Sequence, residues 1–200
     1  MKKIFFFLII WQLLVGLSHA WEYRIFGINP ADFKDRKVTH IIVGAVASFA
    51  VHEAGHYFIG RAVGMDTSFR WDNSNTIGLM AWAEKYDDKS KSQKFLYHAG
   101  GFISQAVIGT MLTVAGNTRH SDFTLGFNSF TMVNSALYTA TGGFDESDIE
   151  NLDNLGYNGN AIGITSSVYS GVLSYVNLRK SLKKDGVPYF VWTPYKRERY

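Results

Sequence analysis

The chain has 200 residues, enough for one domain with a short extension, and only 18% of them are charged. The formal charge of +3 is too small and too dispersed to predict a nucleic-acid partner. The sequence contains no cysteine, which excludes disulfides, cysteine nucleophiles and cysteine metal ligands. Any metal ion must therefore be held by His, Asp or Glu.

Residues 1–20 have the pattern of an export signal peptide. Two lysines precede an apolar run from Ile4 to Leu17, and the triplet "SHA" ends at Ala20. Small residues at the first and third positions of that triplet match a signal-peptidase site and predict a mature start at Trp21. The alternative is an uncleaved N-terminal anchor, for which the apolar run is short.

A polar lead at 21–37 precedes a core predicted at 38–178, and a basic tail follows at 179–200. The core contains four long apolar segments, at about 38–64, 95–115, 125–142 and 160–178. Segments of this length suit helices that cross a bilayer, and their small and hydroxylated residues favour close helix packing. The sequence therefore predicts a mainly α, polytopic membrane bundle of about four spanning helices in the bacterial inner membrane.

The first apolar segment contains "VHEAGH" at residues 51–56. On a helix, His52 and His56 lie one turn apart on the same face, so both imidazoles can bind one ion. Glu53 stands beside the first ligand, where its carboxylate can reach a water on the metal. This is the H-E-x-x-H arrangement of zinc hydrolases, in which zinc lowers the pKa of its water towards about 7 and the glutamate accepts the proton.

Two further elements are predicted outside the apolar segments. Residues 66–84 have apolar residues alternating with others on both sides of "DNSN", which predicts a β-hairpin. Residues 142–156 are acidic and contain no lysine or arginine. Within them, Ser147 and Glu150 have the spacing of a capping box, which predicts a short helix beginning at Asp148.

The stretch "HEAGHYFIGRAVGM" resembles the metal-binding helix of the site-2 protease family of intramembrane zinc metalloproteases. The order of the later elements is also similar: a hairpin-like segment, a helix opening with the small residues of "HAGGFISQAV", and a helix with an acidic residue near its far end. The resemblance covers about residues 38–156. It implies a small, divergent member in which Zn²⁺ is bound by His52, His56 and an aspartate, with Glu53 as the base.

The third ligand of that family is an aspartate, usually in an L-D-G context after an N-x-x-P element. This chain has no L-D-G and no proline between Pro30 and Pro188. The resemblance leaves Asp145 and Asp148 as candidates. We expect Asp148, because a ligand at the start of a capped helix is held more rigidly than one on a turn.

The resemblance implies a metalloendopeptidase that hydrolyses peptide bonds of membrane-associated proteins or peptides. The outer edge of the hairpin is expected to pair with an extended substrate. Two other functions fit the same residues: a divergent membrane protein that binds zinc without proteolysis, and a soluble periplasmic zincin with buried helices. The expected partners are a protein or peptide substrate and the lipid bilayer.

Overall fold

The computed structural model describes residues 36–72, 78–118, 121–140 and 147–178. The predicted export signal, nearly all of the polar lead and the basic tail lie outside these residues. The described part is mainly helical, with one β-hairpin after the H-E-x-x-H helix, which confirms the coarse fold prediction.

The helices are α1 (Val38–Ala62), α2 (Lys91–Val114), α3 (Asp122–Ala140), α4 (Asp148–Asn154) and α5 (Gly159–Leu178). The strands are β1 (Asp66–Asp72) and β2 (Gly78–Glu84), and a 3₁₀ turn, Tyr86–Asp88, follows them. Helix α2 begins four residues before the predicted segment because Ser90 and Gln93 form a capping box. Helix α4 begins where its cap predicts, with the Ser147 side chain accepting a hydrogen bond from the backbone N–H of Glu150.

Helix α1 ends in a tight turn that leads directly into β1. Gly64 has a φ of +82°, which glycine adopts without strain, and the N–H of Met65 donates to the carbonyl of Gly60 at 2.9 Å. The hairpin then lies back on α1. The hydroxyl of the buried Thr67 donates to the carbonyl of Tyr57, and Arg61 donates to the carbonyl of Thr67, each at 2.9 Å. These bonds fix the hairpin against the helix that carries the two histidines.

The two strands are antiparallel, and Phe69 is paired with Ala81. In an antiparallel pair, a residue that does not exchange hydrogen bonds with its partner turns its N–H and C=O outward. Ala81 is such a residue, because both of its backbone groups bond to side chains of the helices rather than to β1. The outer edge of β2 at Ala81 therefore faces the helices.

Helix α1 is central and packs against α2 on one side and α3 on the other. Glycines allow the close approach: a side chain at Gly44 or Gly126 would collide with the backbone of the facing helix at the α1–α3 crossing. Gly55 and Gly100 meet in the same way at the α1–α2 crossing. Small residues at helix contacts are typical of helices packed in a membrane.

Polar residues fill much of the interior of this bundle, and large apolar residues cover much of its outside. The buried polar residues include Ser48, Gln105, Thr113, Asn128, Thr131, Ser135, Ser170 and Ser174. The exposed apolar residues include Val43, Val46, Phe58, Ile103, Val107, Met111, Val114, Ile164, Val168 and Val172. This distribution reverses the usual tendency of apolar residues to be buried.

Helix α1 is long and apolar enough to cross a membrane, and 28% of its apolar part is buried inside the protein. The criterion uses length and composition alone, and a core helix or a signal sequence also meets it. Among the described residues, the other three predicted spans do not meet it. Polar residues such as His98 and Gln105 in α2, and the many Ser, Thr and Asn residues of α3 and α5, make those helices more polar.

Candidate metal centre

Three side chains, two from α1 and one from α4, converge on one point. His52 and His56 lie one turn apart in α1, and Asp148 is the first residue of α4. The Nε2 atoms of the two histidines are 3.1 Å apart, and the Asp148 Oδ2 is 3.1 Å from each of them. Both histidines are buried, and Asp148 is half-buried. The three residues form a group that could bind one metal ion.

Hydrogen bonds to the far sides of the two rings leave both Nε2 atoms available as ligands. The Nδ1 of His56 is 2.7 Å from the carbonyl of Tyr97, which can only accept, so this nitrogen carries the hydrogen. The Nδ1 of His52 is 3.1 Å from Oε1 of Gln105 and donates in the same way. When both rings are neutral, the lone pairs of the two Nε2 atoms and the carboxylate oxygen of Asp148 point towards the same place. A cation at that place would bind all three atoms.

The triangle of donor atoms has the right size for a small tetrahedral ion. Ligand atoms bound at about 2.0–2.2 Å in a tetrahedral site stand about 3.3–3.6 Å apart. The three donor atoms of His52, His56 and Asp148 are 3.1 Å apart, so shifts of a few tenths of an ångström accommodate the ion. Two nitrogens and one oxygen leave the fourth position of a tetrahedron open, as catalytic sites require.

Asp148 is held in place by a further histidine. The Nδ1 of His98 donates to the Asp148 Oδ1 at 3.1 Å, and the hydroxyl of Tyr86 donates to the His98 Nε2 at 2.9 Å. Burial alone would raise the pKa of Asp148. When the Nε2 atoms are protonated, the charge of His56 and hydrogen bonds from His52, His56 and His98 hold that pKa well below its usual range. A cation bound between two neutral rings would lower it in the same sense. The carboxylate is thus ionised and ready to bind a cation.

The burial of Tyr86, together with the charges of Asp87 and Asp148, raises the pKa of its phenol. Tyr86 therefore stays a neutral hydroxyl that can donate to His98. The chain of Tyr86, His98 and Asp148 fixes which oxygen of the carboxylate faces the two histidines. Tyr86 and His98 both donate towards the carboxylate, so both support its ionised state.

His52 is oriented by a second chain of buried hydrogen bonds that crosses three helices. The Gln105 amide nitrogen donates to the carbonyl and the hydroxyl of Ser48, at 3.1 and 2.9 Å. The hydroxyls of Ser48 and Thr131 are 2.8 Å apart, and Thr131 donates to the carbonyl of Phe127. Ser48 must therefore donate to Thr131, and the amide of Gln105 can have only one orientation. Its oxygen consequently faces His52.

A glycine leaves room for the ring of His52. A side-chain carbon at Gly101 of α2 would lie within 3.0 Å of three atoms of that ring. Helix α2 thus approaches the ring as closely as its backbone allows. The ring is held by this contact on one side and by Gln105 at its Nδ1.

Glu53 lies between the two histidines in sequence and is buried. Its Oε2 accepts a hydrogen bond from the backbone N–H of Ala81 at 2.9 Å. The carbonyl of the same Ala81 accepts from the hydroxyl of Tyr97, which is also buried, at 2.8 Å. The candidate base and the outer edge of β2 are thus in direct contact.

The structure brings together three of the residues expected from the sequence as ligands: His52, His56 and Asp148. The alternative ligand Asp145 lies outside the described residues. His98, Gln105 and Tyr97 also belong to the site, and they are not predicted as parts of it from the sequence. Two of them could have been found, because Gln105 and His98 are polar residues in an apolar helix. Such side chains need hydrogen-bond partners when they are buried.

Comparisons of the chain with protein-family models, with curated proteins and with solved structures find no match.

Proposed function

We propose that the protein is a membrane zinc endopeptidase that cuts membrane-associated proteins or peptides. The observation that carries the proposal is the convergence of His52 Nε2, His56 Nε2 and Asp148 Oδ2, each 3.1 Å from the other two, beside a buried glutamate. Two imidazoles and one carboxylate with an open fourth position are a typical donor set for catalytic zinc.

When bound, zinc supplies a Lewis acid that lowers the pKa of a coordinated water towards about 7 and polarises the scissile carbonyl. Residues of the chain orient the ligands and transfer the proton. His52 and His56 present their Nε2 atoms because Gln105 and Tyr97 bind their Nδ1 hydrogens. Glu53 accepts the proton of the attacking water and returns it to the leaving amine.

The edge of the hairpin supports a peptide as the substrate. An extended chain can add to a strand edge through main-chain hydrogen bonds, which recognise a backbone and not one particular side chain. The outer edge of β2 runs past Glu53 at Ala81. A strand added there would place its peptide bonds beside the candidate base.

The distribution of residues supports a location in the membrane. The large apolar residues exposed on α1, α2 and α5 suit contact with lipid chains, and the buried polar groups bond to one another between helices. On this proposal α1 and three other helices form a multi-pass bundle in the inner membrane. The resemblance of "HEAGHYFIGRAVGM" to the site-2 protease family suggests the same location.

Replacing Glu53 tests the reaction. Glu53→Gln keeps the size of the side chain and an oxygen for the Ala81 N–H, but it cannot accept the proton of the water. We expect the variant to retain zinc and to cut about 10²–10⁴-fold more slowly. The assay follows membrane proteins of cells that carry either form, by quantitative mass spectrometry. Glu84→Gln removes a carboxylate from the exposed face of the hairpin and is the matched control.

Equal cleavage by the wild type and Glu53→Gln contradicts the proposed mechanism. If the wild type binds zinc but no peptide is cut in either strain, the second candidate is favoured, a membrane protein that binds zinc without proteolysis.

A further inference from the structure

Ala81 is the point at which the strand edge and the catalytic residues meet. Its N–H and C=O both point away from β1, as the backbone groups of an unpaired edge residue do. An added strand would bind these two groups with a carbonyl and an amide of its own. In the structure they are bound instead by an acceptor and a donor from side chains, Glu53 and Tyr97.

We propose that Glu53 and Tyr97 cap the edge of β2 and that a peptide substrate must displace both of them. The inference rests on the proposed function and specifies how its substrate enters. Both hydrogen bonds are buried and of ordinary length, 2.9 and 2.8 Å, so neither is broken without a replacement partner. An extended peptide supplies both replacements at once, because one of its residues carries the carbonyl and the amide that Ala81 needs.

The displacement links binding to catalysis. While Oε2 of Glu53 accepts a hydrogen bond from the Ala81 N–H, this oxygen is less able to accept a proton from water. When the peptide takes over the N–H of Ala81, the carboxylate is released beside the metal ligands at the moment the substrate arrives. Tyr97 is thus a positioning residue: its hydroxyl competes with the substrate for the Ala81 carbonyl and takes no part in the bond-breaking step.

Tyr97 can be tested because its two functions are carried by different atoms. Its backbone carbonyl orients His56, and its hydroxyl caps Ala81. Tyr97→Phe removes the hydroxyl and leaves the carbonyl, so the metal ligands are unaffected. Tyr57→Phe is the matched control, since the Tyr57 ring stacks on Phe69 of the same hairpin.

The measurement uses full-length protein in detergent micelles and fluorescein-labelled β-casein, an unfolded chain, as the probe. Binding is followed by fluorescence anisotropy in a Glu53→Gln background, which does not cut but keeps an oxygen to accept from Ala81. We expect Tyr97→Phe to lower the Kd of the probe about threefold to tenfold, because one competing hydrogen bond is lost. Tyr57→Phe should leave the Kd within about twofold, and zinc content should be equal in all forms.

A Kd that is unchanged or raised by Tyr97→Phe overturns the inference. In the wild-type background, cleavage of the same probe should show a lower KM and an unchanged kcat for Tyr97→Phe. A fall in kcat would assign the hydroxyl to the reaction itself and also overturn the inference. The binding experiment does not depend on cleavage, so a failure of the proposed function and a failure of the capped edge give different results.

Discussion

His52 is oriented by Gln105, a residue 53 positions further along the chain. An amide oxygen at this place allows only one tautomer of the ring, the one that turns the Nε2 lone pair towards Asp148. The amide in turn is fixed by Ser48, whose hydroxyl and carbonyl both accept from it. The affinity of the site for metal therefore depends on residues that never contact the ion.

The zinc content of the protein should depend on His52 and His56. The purified protein should bind about one zinc ion per chain, and His52→Ala or His56→Ala should each reduce that content strongly, because two protein ligands are too few for a stable site. His40→Ala is the control, since His40 lies exposed near the start of the same helix. The measurement is elemental analysis after dialysis. Equal zinc in the His52→Ala and His40→Ala proteins would contradict the site.

The affinity for zinc should also depend on the hydrogen bond between His52 and Gln105. Gln105→Leu has a similar volume but cannot accept from His52, so the ring loses its fixed tautomer and orientation. We expect the affinity for zinc to fall about 10–100-fold, as when other groups that orient ligands are lost. Competition with a fluorescent chelator measures this. Thr113→Val removes another buried hydrogen bond of α2, the one that Thr113 accepts from Asn128, and should leave zinc affinity unchanged.

At the scale of elements, helix contacts determine where the ligands lie. Helix α2 can approach α1 closely because Gly55 and Gly100 meet at their crossing, and one residue later Gly101 faces the ring of His52. The same helix supplies His98 to Asp148 and the Tyr97 carbonyl to His56. Each ligand of the site is thus held by α2.

A single methyl group on α2 should disturb the site. In Gly101→Ala the new carbon would lie within 3.0 Å of the His52 ring, so the ring or the helix must move. We expect zinc affinity to fall by about tenfold or more. Gly109→Ala is the control, because its new carbon would meet Asn128, two helical turns away from the ligands.

Both glycine variants should lose about 1–3 kcal/mol of folding stability through overcrowding. Thermal unfolding with and without zinc separates the two effects. Zinc should stabilise the Gly109→Ala protein as much as the wild type, and the Gly101→Ala protein less. Equal stabilisation of both variants would mean that the ring of His52 does not depend on this contact.

The elements themselves were largely predictable from the sequence, because their causes are local. The apolar segments, the alternation around "DNSN" and the cap at Ser147 predict the helices, the hairpin and the start of α4. The spacing of His52 and His56 likewise places both on one face of a helix. The contacts of Gln105, His98 and Gly101 depend on how distant helices pack, and no short-range pattern encodes that.

At the scale of the whole molecule, the apolar exterior and polar interior lead to a prediction about location. If Val46, Val107 and Val172 face lipid chains, the protein should remain in the pellet when membranes are extracted with alkaline carbonate. Western blotting of pellet and supernatant measures this, with a peripheral and a multi-pass protein of the same membrane as controls. Release into the supernatant would favour the soluble periplasmic zincin.

The order in which the ligands occur along the chain has a consequence for biosynthesis. Asp148 is 96 positions after His52, and the hairpin, α2 and α3 lie between them. A ribosome therefore delivers the helix with both histidines long before the third ligand exists. During that interval the nascent chain holds only two of the three candidate ligands, so the endopeptidase that we propose would be inactive while the chain is being made. The proposed activity would begin only when α4 has been made and Asp148 has reached the two histidines of the first helix.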